Sequence, residues 1–408
     1  MSARSFLFLQ GCTSPFFGNL ADALRARGHA ISRINFNVGD AVYWARRPAW
    51  SFRESITALP AFLDEKFHAG KVTDVIMLGD TRPVHVPAHD AALRCGARVH
   101  VFEEGYFRPS WLTLERWGIN GYSRLPRDPD WFFDVAPHVP DLRDGVHIQN
   151  PLWLLALHEA LYHLPNIFNP ILFPGYHTHR PQVSVSEFSG WSRRYAILPF
   201  HKRKDQACVN RLLSKRSNFF VFPLQLDSDS QISVHSPIEN MEDAIWQVLH
   251  SFANNAPADC RLVLKNHPLD TGLINFSHHV RQLAEHFDIS DRVDYLETGH
   301  LPDLLASASG MVTVNSTAGT AALGLGCPTI ALGTAVYDFA GLTFQGSLDE
   351  FWRECCPPDP RLFHAFRKVT LHTTQVNGGF YTNIGMELAI QNSLDRLVSD
   401  RSPLEEFL

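Results

Sequence analysis

Ser5 to Phe36 reads SFLFLQGCTSPFFGNLADALRARGHAISRINF, and this stretch decides the fold. It opens with an apolar run, Ser5–Gln10, that suits a buried strand. Turn chemistry follows. Gly11 permits a tight bend, and Thr13 or Ser14 can cap a helix. From Phe16 to Arg27 the apolar residues Phe17, Leu20, Ala21 and Leu24 fall at helical spacing, and the pattern stops at Gly28, a common residue just past a helix end. Ala30–Phe36 is strand-like again. Strand, turn, helix, Gly and strand make a βαβ unit, which implies parallel strands and a right-handed crossover.

The alternation continues outward. Ser55–Phe67 predicts helix, Asp74–Leu78 strand, His89–Arg94 helix and Arg98–Phe102 strand. From Pro126 to about Gly190 Pro, His and aromatic residues crowd in, and one apolar stretch, Leu152–Leu164, has a helical look. That region reads as an insertion plus linker. Strands are then expected at Asn218–Leu224, Arg261–Leu264, Val293–Leu296, Met311–Val314 and Thr329–Leu332. Helices fall between them, and an amphipathic helix, Ile384–Val398, ends the chain. The expected fold is α/β and GT-B-like, with two doubly wound parallel-sheet (Rossmann-like) domains and a cleft between them. The expected boundaries are 1–190 for an acceptor-side domain, with its insertion near 127–190, and 191–380 for a nucleotide-sugar domain. Residues 381–408 form a helix that packs back on the first domain.

Composition narrows the function. The chain has 408 residues, is 45% hydrophobic and 19% charged, and carries a net charge of −6. That charge argues against nucleic acid as a partner. No apolar run reaches the roughly 18–20 residues that cross a bilayer. The seven cysteines show no CxxC spacing, so free thiols in a reducing cytoplasm are expected. The 21 histidines include no HExxH, and pairs such as His177/His179 and His278/His279 read as surface residues rather than metal ligands.

Chemistry gathers where strands end. Arg261-Leu-Val-Leu-Lys265-Asn266-His267-Pro268 delivers a cation and an imidazole to one sheet rim, with Pro268 restricting the backbone of His267. Gly310-Met-Val-Thr-Val-Asn315 runs into Ser316-Thr317-Ala-Gly319, a strand, turn and helix start whose N–H groups suit an anion. Together they suit the phosphate of a nucleotide. Glu103 and Glu104 follow the strand ending at Phe102. Strand geometry points them to opposite sides, and Arg108 is near enough in sequence to pair with them. In Pro223-Leu-Gln225-Leu-Asp227-Ser-Asp229-Ser-Gln231, alternation puts Gln225, Asp227, Asp229 and Gln231 on one side if the chain stays extended. Asp227-Ser-Asp229 also resembles the DxD metal motif of GT-A enzymes. The readings beside it are sugar-carbon chemistry and plain turn carboxylates.

With these segments placed, the chain resembles the bacterial capsule polysaccharide biosynthesis proteins, of the KpsS or LipB type. The likeness rests on Gln-Gly-x-x-Ser-Pro-Phe-Phe from Gln10, Phe-Glu-Glu-Gly-Tyr-Phe-Arg-Pro from Phe102 and Pro-Leu-Gln-x-x-x-Asp-x-Gln from Pro223. Lys-x-His-Pro-Leu-Asp from Lys265, Asn-Ser-Thr-x-Gly from Asn315 and Asn-Gly-Gly-Phe-Tyr-Thr from Asn377 complete it. The resemblance implies a retaining β-Kdo transferase using CMP-Kdo, with phosphatidylglycerol or lysophosphatidylglycerol as acceptor and a KpsC-type enzyme extending the product. The chemistry of a CMP–ketose bond, apart from the family, suits Asp229 as nucleophile, Glu103 or Glu104 as acceptor-side base and His267 at the leaving phosphate. Gln225, Gln231, Lys265, Pro268, Asn315, Ser316, Thr317, Gly319, Ser14 and Arg108 would bind substrate. No metal or other cofactor is expected, because CMP presents a single phosphate. A location on the inner face of the cytoplasmic membrane is implied. The apolar Leu152–Phe173, followed by Arg193, Arg194, His201, Lys202, Arg203 and Lys204, reads either as a leaflet-docking patch or as a core helix with a solvated loop. Two other classes stay open: another GT-B nucleotide-sugar enzyme, such as a UDP-sugar transferase or an epimerase, and a non-catalytic capsule export or assembly partner.

Overall fold

Short apolar strands become stable only when they share a sheet and bury its faces under helices. The computed structural model describes residues 3–141, 145–177, 184–214, 218–226 and 230–408, and in it the strands gather into two sheets. The first contains β1 (Ser5–Phe8), β2 (Ala30–Asn35), β3 (Trp50–Ser51), β4 (Asp74–Leu78), β5 (Arg98–Glu104), β6 (Trp111–Arg116) and, late in the chain, β12 (Gln375–Asn377). Its order is β12-β6-β5-β4-β1-β2-β3. Strands β1 to β5 are parallel, β6 is added antiparallel at one edge, and β12 pairs antiparallel with β6, so it runs with the others again.

Side-chain alternation splits this sheet into two cores. Leu7, Leu9, Val75, Met77, Val99 and Val101 meet the helices Leu59–Gly70 and Val86–Cys95. Phe6, Phe8, Ile76, Phe102, Leu112 and Leu114 meet the helices Phe16–Ala26 and Asn383–Val398. The sequence analysis assigned no strand to β6, because its apolar-polar alternation, Leu112 to Glu115, lasts only four residues; in the fold Thr113, Glu115 and Arg116 are buried with the leucines.

The second sheet contains β7 (Phe219–Pro223), β8 (Arg261–Lys265), β9 (Val293–Leu296), β10 (Gly310–Thr313) and β11 (Thr329–Ala331), all parallel, in the order β11-β10-β7-β8-β9. Met241, Ile245, Val248, Leu249 and Phe252 of helix Met241–Asn255 cover one face. Val209 and Leu212, near the end of helix Ser184–Ser214, help to cover the other. That long helix begins inside the stretch read from sequence as a linker. It contains Pro199 and alternates polar and apolar residues without a clean stripe, which hid it.

Both sheets are therefore doubly wound, as the sequence pattern implied. The chain forms two compact units, one of residues 1–125, 138–179 and 368–408, the other of 126–137 and 180–367. These limits differ from the sequence expectation at three places, the first being that the boundary expected at 190 falls at 179, so that the helix Ser184–Ser214 belongs whole to the second unit. Residues 126–137 join the second unit because Phe132 stacks on Phe339 at 5.3 Å and meets Phe366 edge-on at 5.3 Å. Residues 368–380 join the first unit because β12 pairs with β6 there. Among the described residues no helix is long and apolar enough to cross a membrane.

Phe132 is fully buried in its aromatic triad, and truncating a buried Phe costs roughly 3–5 kcal/mol. Phe132→Ala should lower the unfolding free energy of the second unit by that order in a urea titration. A change of about 0.5 kcal/mol or less, the scale of an ordinary surface substitution, would show that the triad does not hold segment 126–137 in place.

Candidate functional site

In doubly wound sheets ligands gather at the carboxyl ends of the strands where the order reverses. In the first unit that point lies between β1 and β4. Gln10, just past β1, is buried and sits at a hub. Its amide nitrogen donates to Tyr162 Oη at 3.3 Å and Asp40 Oδ2 at 3.4 Å, and its amide oxygen accepts from Arg82 at 3.1 Å. Asp40 is a wholly buried carboxylate. It accepts from Arg33 at 2.8 Å, from Tyr162 Oη at 3.0 Å and from the Phe36 N–H at 3.1 Å.

Glu103 and Glu104 end β5 at the same rim. The alternation read from sequence holds. Glu103 turns toward Gly79 at the end of β4, where a glycine with φ +69 leaves room. A Cβ there would come within 3.3 Å of Glu103 Oε2. Glu104 takes the other face, shared with Phe102, and its charge raises the Cys12 thiol; both carboxylates act on Tyr381. Burial pushes Glu103 up to about 7. The Glu104 N–H that it accepts at 3.0 Å and the Arg82 charge offset part of the rise, while the Glu104 charge adds to it. Burial also raises Glu104, and Arg108 pulls it back. Arg108 itself is exposed and acts on both carboxylates through its charge. A carboxylate poised near neutrality at a strand end is suited to take a proton from a hydroxyl.

Ser14 is buried in the same turn. Its hydroxyl accepts the Phe16 N–H at 3.3 Å and lies 3.1 Å from Cys12 Sγ, while Thr13 reaches across to Glu159 at 2.7 Å. Ser14 thus closes a turn just ahead of the first helix, whose N-cap position is Pro15 and has no side-chain cap, so neither Thr13 nor Ser14 caps it as the sequence suggested; Thr13 ties the turn to the helix Leu152–His163.

In the second unit the order reverses between β7 and β10. Gln225 and Asn315 extend those two strands and lock together. Gln225 Nε2 donates to Asn315 Oδ1 at 3.1 Å, and the Asn315 N–H donates to Gln225 Oε1 at 3.1 Å. The turn after Asn315 then satisfies much of itself. Ser316 N–H bonds Thr313 Oγ1, Ala318 N–H bonds Ser316 Oγ, and Gly319 N–H bonds the Ser316 carbonyl. Gly319 is required sterically, since a Cβ would sit 2.2 Å from the Tyr337 ring. Tyr337 in turn donates to the Ser316 carbonyl at 2.5 Å. The hydroxyls of Ser316 and Thr317 stand half-buried at this rim.

The loop after β8 is a braced unit. Arg194, from helix Ser184–Ser214, donates to the carbonyls of His267, Pro268 and Asp270. Asn266 Nδ2 donates to Asp270 at 3.0 Å and Glu297 at 2.9 Å, and Asn266 Oδ1 accepts the His267 N–H at 2.8 Å. His267 Nδ1 accepts from the Leu269 N–H at 3.1 Å, so a neutral ring carries its proton on Nε2. Lys265 is buried and turned inward, with Nζ 3.3 Å from the Asn266 carbonyl. Burial lowers its pKa, as does the Arg194 charge, against Asp205 and Glu297. Lys265 therefore braces the loop from within, and Arg194 is part of this brace rather than of an exposed basic patch. Pro268 is exposed.

Asp227 and Asp229 lie outside the described residues, and Gln231 is described only as part of the helix Ser230–His235. Among the described residues no three His, Cys, Asp or Glu side chains converge in a way that would hold a metal ion. Sequence reasoning did not single out Arg82, Asn266, Tyr162 or Asp40. Their signals were weak, because a lone Arg after a strand and a Tyr inside an apolar run look ordinary until the fold brings them to a rim.

The pattern of the capsule polysaccharide biosynthesis protein family matches residues 73–381. The capsule polysaccharide modification protein LipB of Neisseria meningitidis serogroup B is 36% identical over 389 residues, covering 94% of this chain and 93% of LipB. The capsule polysaccharide export protein KpsS of Escherichia coli is 33% identical, covering 93% of this chain and 98% of KpsS. Among solved structures, KpsC of Thermosulfurimonas dismutans, a β-Kdo 2,7 transferase, aligns over 96% of this chain and 99% of its own at 16% identity, with a TM-score of 0.45. The sequence match over most of the chain, with its signatures placed at the rims of two doubly wound sheets, makes this chain a member of the capsule polysaccharide biosynthesis protein family.

Proposed function

We propose that this protein is a retaining β-Kdo glycosyltransferase. It moves Kdo from CMP-Kdo to a phosphatidylglycerol or lysophosphatidylglycerol acceptor at the inner leaflet, beginning the lipid-linked linker that a KpsC-type enzyme extends. Relatives named for capsule modification and capsule export support the setting. The observation that carries the chemistry is the pair Glu103 and Glu104 at the end of β5, with burial pushing Glu103 up to about 7.

In this reading CMP lies at the rim of the second sheet, over the Gln225–Asn315 lock. His267 Nε2–H donates to the phosphate as the bond from phosphate oxygen to the Kdo anomeric carbon breaks. The hydroxyls of Ser316 and Thr317 donate there too. Such donors act where charge develops. The Asp229 carboxylate attacks the anomeric carbon as CMP leaves, forming a glycosyl ester. Glu103 then takes the proton of the acceptor hydroxyl, whose oxygen attacks the same carbon and releases Asp229. Two inversions give retention. CMP offers one phosphate to neutralise, so the chemistry asks for no metal, and turnover should persist in EDTA. Loss on chelation with recovery in Mg²⁺ would turn Asp227-Ser-Asp229 into a metal motif.

Mass spectrometry of a fluorescent lysophosphatidylglycerol incubated with enzyme and CMP-Kdo tests the function directly. A gain of one Kdo is expected, and stabilisation against heat by CMP but not by UMP should accompany it. No product with CMP-Kdo, but product with a UDP-sugar, would overturn the assignment.

Asp229→Asn should retain CMP binding and lose transfer, because an amide cannot form the ester. With CMP-Kdo and no acceptor, intact-mass analysis of the unaltered enzyme should show a Kdo adduct mapping to Asp229. An adduct on Glu103 or Glu104 would exchange the roles.

Glu103 must be ionised to accept a proton. Its pKa is raised to about 7, so kcat/KM should rise as pH climbs through about 7 and level off above it. Glu103→Gln should lower turnover on the order of 10²–10⁴-fold, the usual worth of a general base. An unchanged acid limb in a still-active Glu103→Gln protein would remove Glu103 from this role.

A further inference from the structure

The segment 152–172 of the first unit is amphipathic in the reverse of the usual sense. It comprises the helix Leu152–His163, a 3-10 turn Leu164–Phe168 and the short helix Asn169–Leu172. Every exposed position in it carries an apolar side chain. Trp153 is 68% exposed, Leu164 71%, Ile167 76% and Ile171 78%. The polar residues are turned inward and bonded. Tyr162 Oη reaches Asp40 and Asn37, Asn166 Oδ1 accepts the Gly39 N–H at 2.7 Å, and Asn169 Oδ1 accepts the Val38 N–H at 2.9 Å. The one acidic residue of the segment, Glu159, accepts from Thr13. These bonds fix which side faces out, so the apolar face is built into the fold.

We infer that this face seats the protein in the interfacial layer of a phospholipid leaflet, lying in its plane. Three observations select lipid as the occupant. The fully exposed positions offer no charge and no hydrogen-bonding side chain other than Trp153, and the partly exposed Glu159 is paired with His163 at 3.1 Å, whereas protein interfaces carry about one hydrogen bond per 100–200 Å² and hydrocarbon asks for none. The helix of 12 residues is too short to span a bilayer, and its inner side is polar, so it can lie on a membrane but not cross it. At its far end Phe173 lies under the exposed guanidinium of Arg53, with Cζ 6.0 Å from the ring, a cation placed for a lipid phosphate. Glu54 beside it offsets some of that charge, so apolar contact carries most of the binding. The inner side of this segment bonds to Gln10 and Thr13 at the rim that holds Glu103 and Glu104. A lipid acceptor would therefore arrive next to the proposed base. This last link rests on the function proposed above, while the apolar face does not.

The test uses the full chain and vesicles of phosphatidylethanolamine and phosphatidylglycerol. Co-sedimentation should show binding by the unaltered protein. The variant Leu157→Gln/Leu161→Gln/Ile167→Gln/Ile171→Gln should bind at least about tenfold more weakly, since each loses an apolar side chain from the lipid. Its melting temperature should be unchanged because all four positions are exposed. The milder Ile167→Gln/Ile171→Gln should fall between the two and serves if the fourfold variant does not fold. Transfer to a short-chain acceptor dispersed in detergent should be unaffected in both variants, while transfer to acceptor embedded in vesicles should fall with binding. Vesicle binding without Kdo transfer in the unaltered protein would uphold this surface and sink the transferase reading. Transfer in detergent without vesicle binding would do the reverse. Vesicle binding that survives in the folded variants would overturn the inference. So would a dimer of the unaltered protein, seen by light scattering, that the variants convert to monomer, because the face would then meet a second copy.

Discussion

The first unit depends on one buried charge. The Asp40 carboxylate is wholly removed from water, and a charge in that position is tolerated only when its partners are all present. Arg33, the Phe36 N–H, Tyr162 and Gln10 supply them. The partners come from three separate parts of the chain, so satisfying the carboxylate fixes the end of β2, the first turn after β1 and the helix Leu152–His163 relative to one another. Removing one partner of such a group costs on the order of 3–5 kcal/mol. The orientation of Gln10 at the rim and the outward apolar face of segment 152–172 both follow from it.

The second unit uses neutral groups to the same end. The reciprocal bonds of Gln225 and Asn315 tie the two strands at which the sheet order reverses. The loop Lys265–Asp270 is braced by Arg194 and Asn266 from behind, which leaves the His267 ring oriented by the Leu269 N–H. In both units charged or amide side chains hold the loops at the sheet rims.

The two carboxylates of β5 show how one strand end can make two environments. Glu103 lies toward Gly79 and feels the Arg82 charge, Glu104 acts on Cys12, and both act on Tyr381. Burial raises both, and their mutual repulsion contributes to the rise at Glu103. Tyr381, part of the Asn377-Gly-Gly-Phe-Tyr-Thr signature, reaches this rim because β12 pairs with β6 and returns the end of the chain to the first sheet.

Much of the fold was legible in the amino-acid sequence, because parallel strands buried on both faces read as apolar runs and the helices between them show apolar stripes. β1, β2, β4, β5, the helix Phe16–Ala26 and most of the second sheet follow from local patterns of that kind. The strand-end positions of Glu103, Gln225, His267 and Asn315 follow too, since a strand's end is a local property. Tertiary structure decided the rest. It placed β6 and β12 in the first sheet, because four alternating residues in one and three residues in the other are too little pattern to mark a strand before its neighbour is in place. It turned Lys265 and Arg194 inward to brace a loop, because where a long cation points depends on which carbonyls and carboxylates the fold brings near. It also set the polar side of segment 152–172 inward. An apolar run of that length reads equally as core or as surface until a buried carboxylate elsewhere in the chain claims its tyrosine.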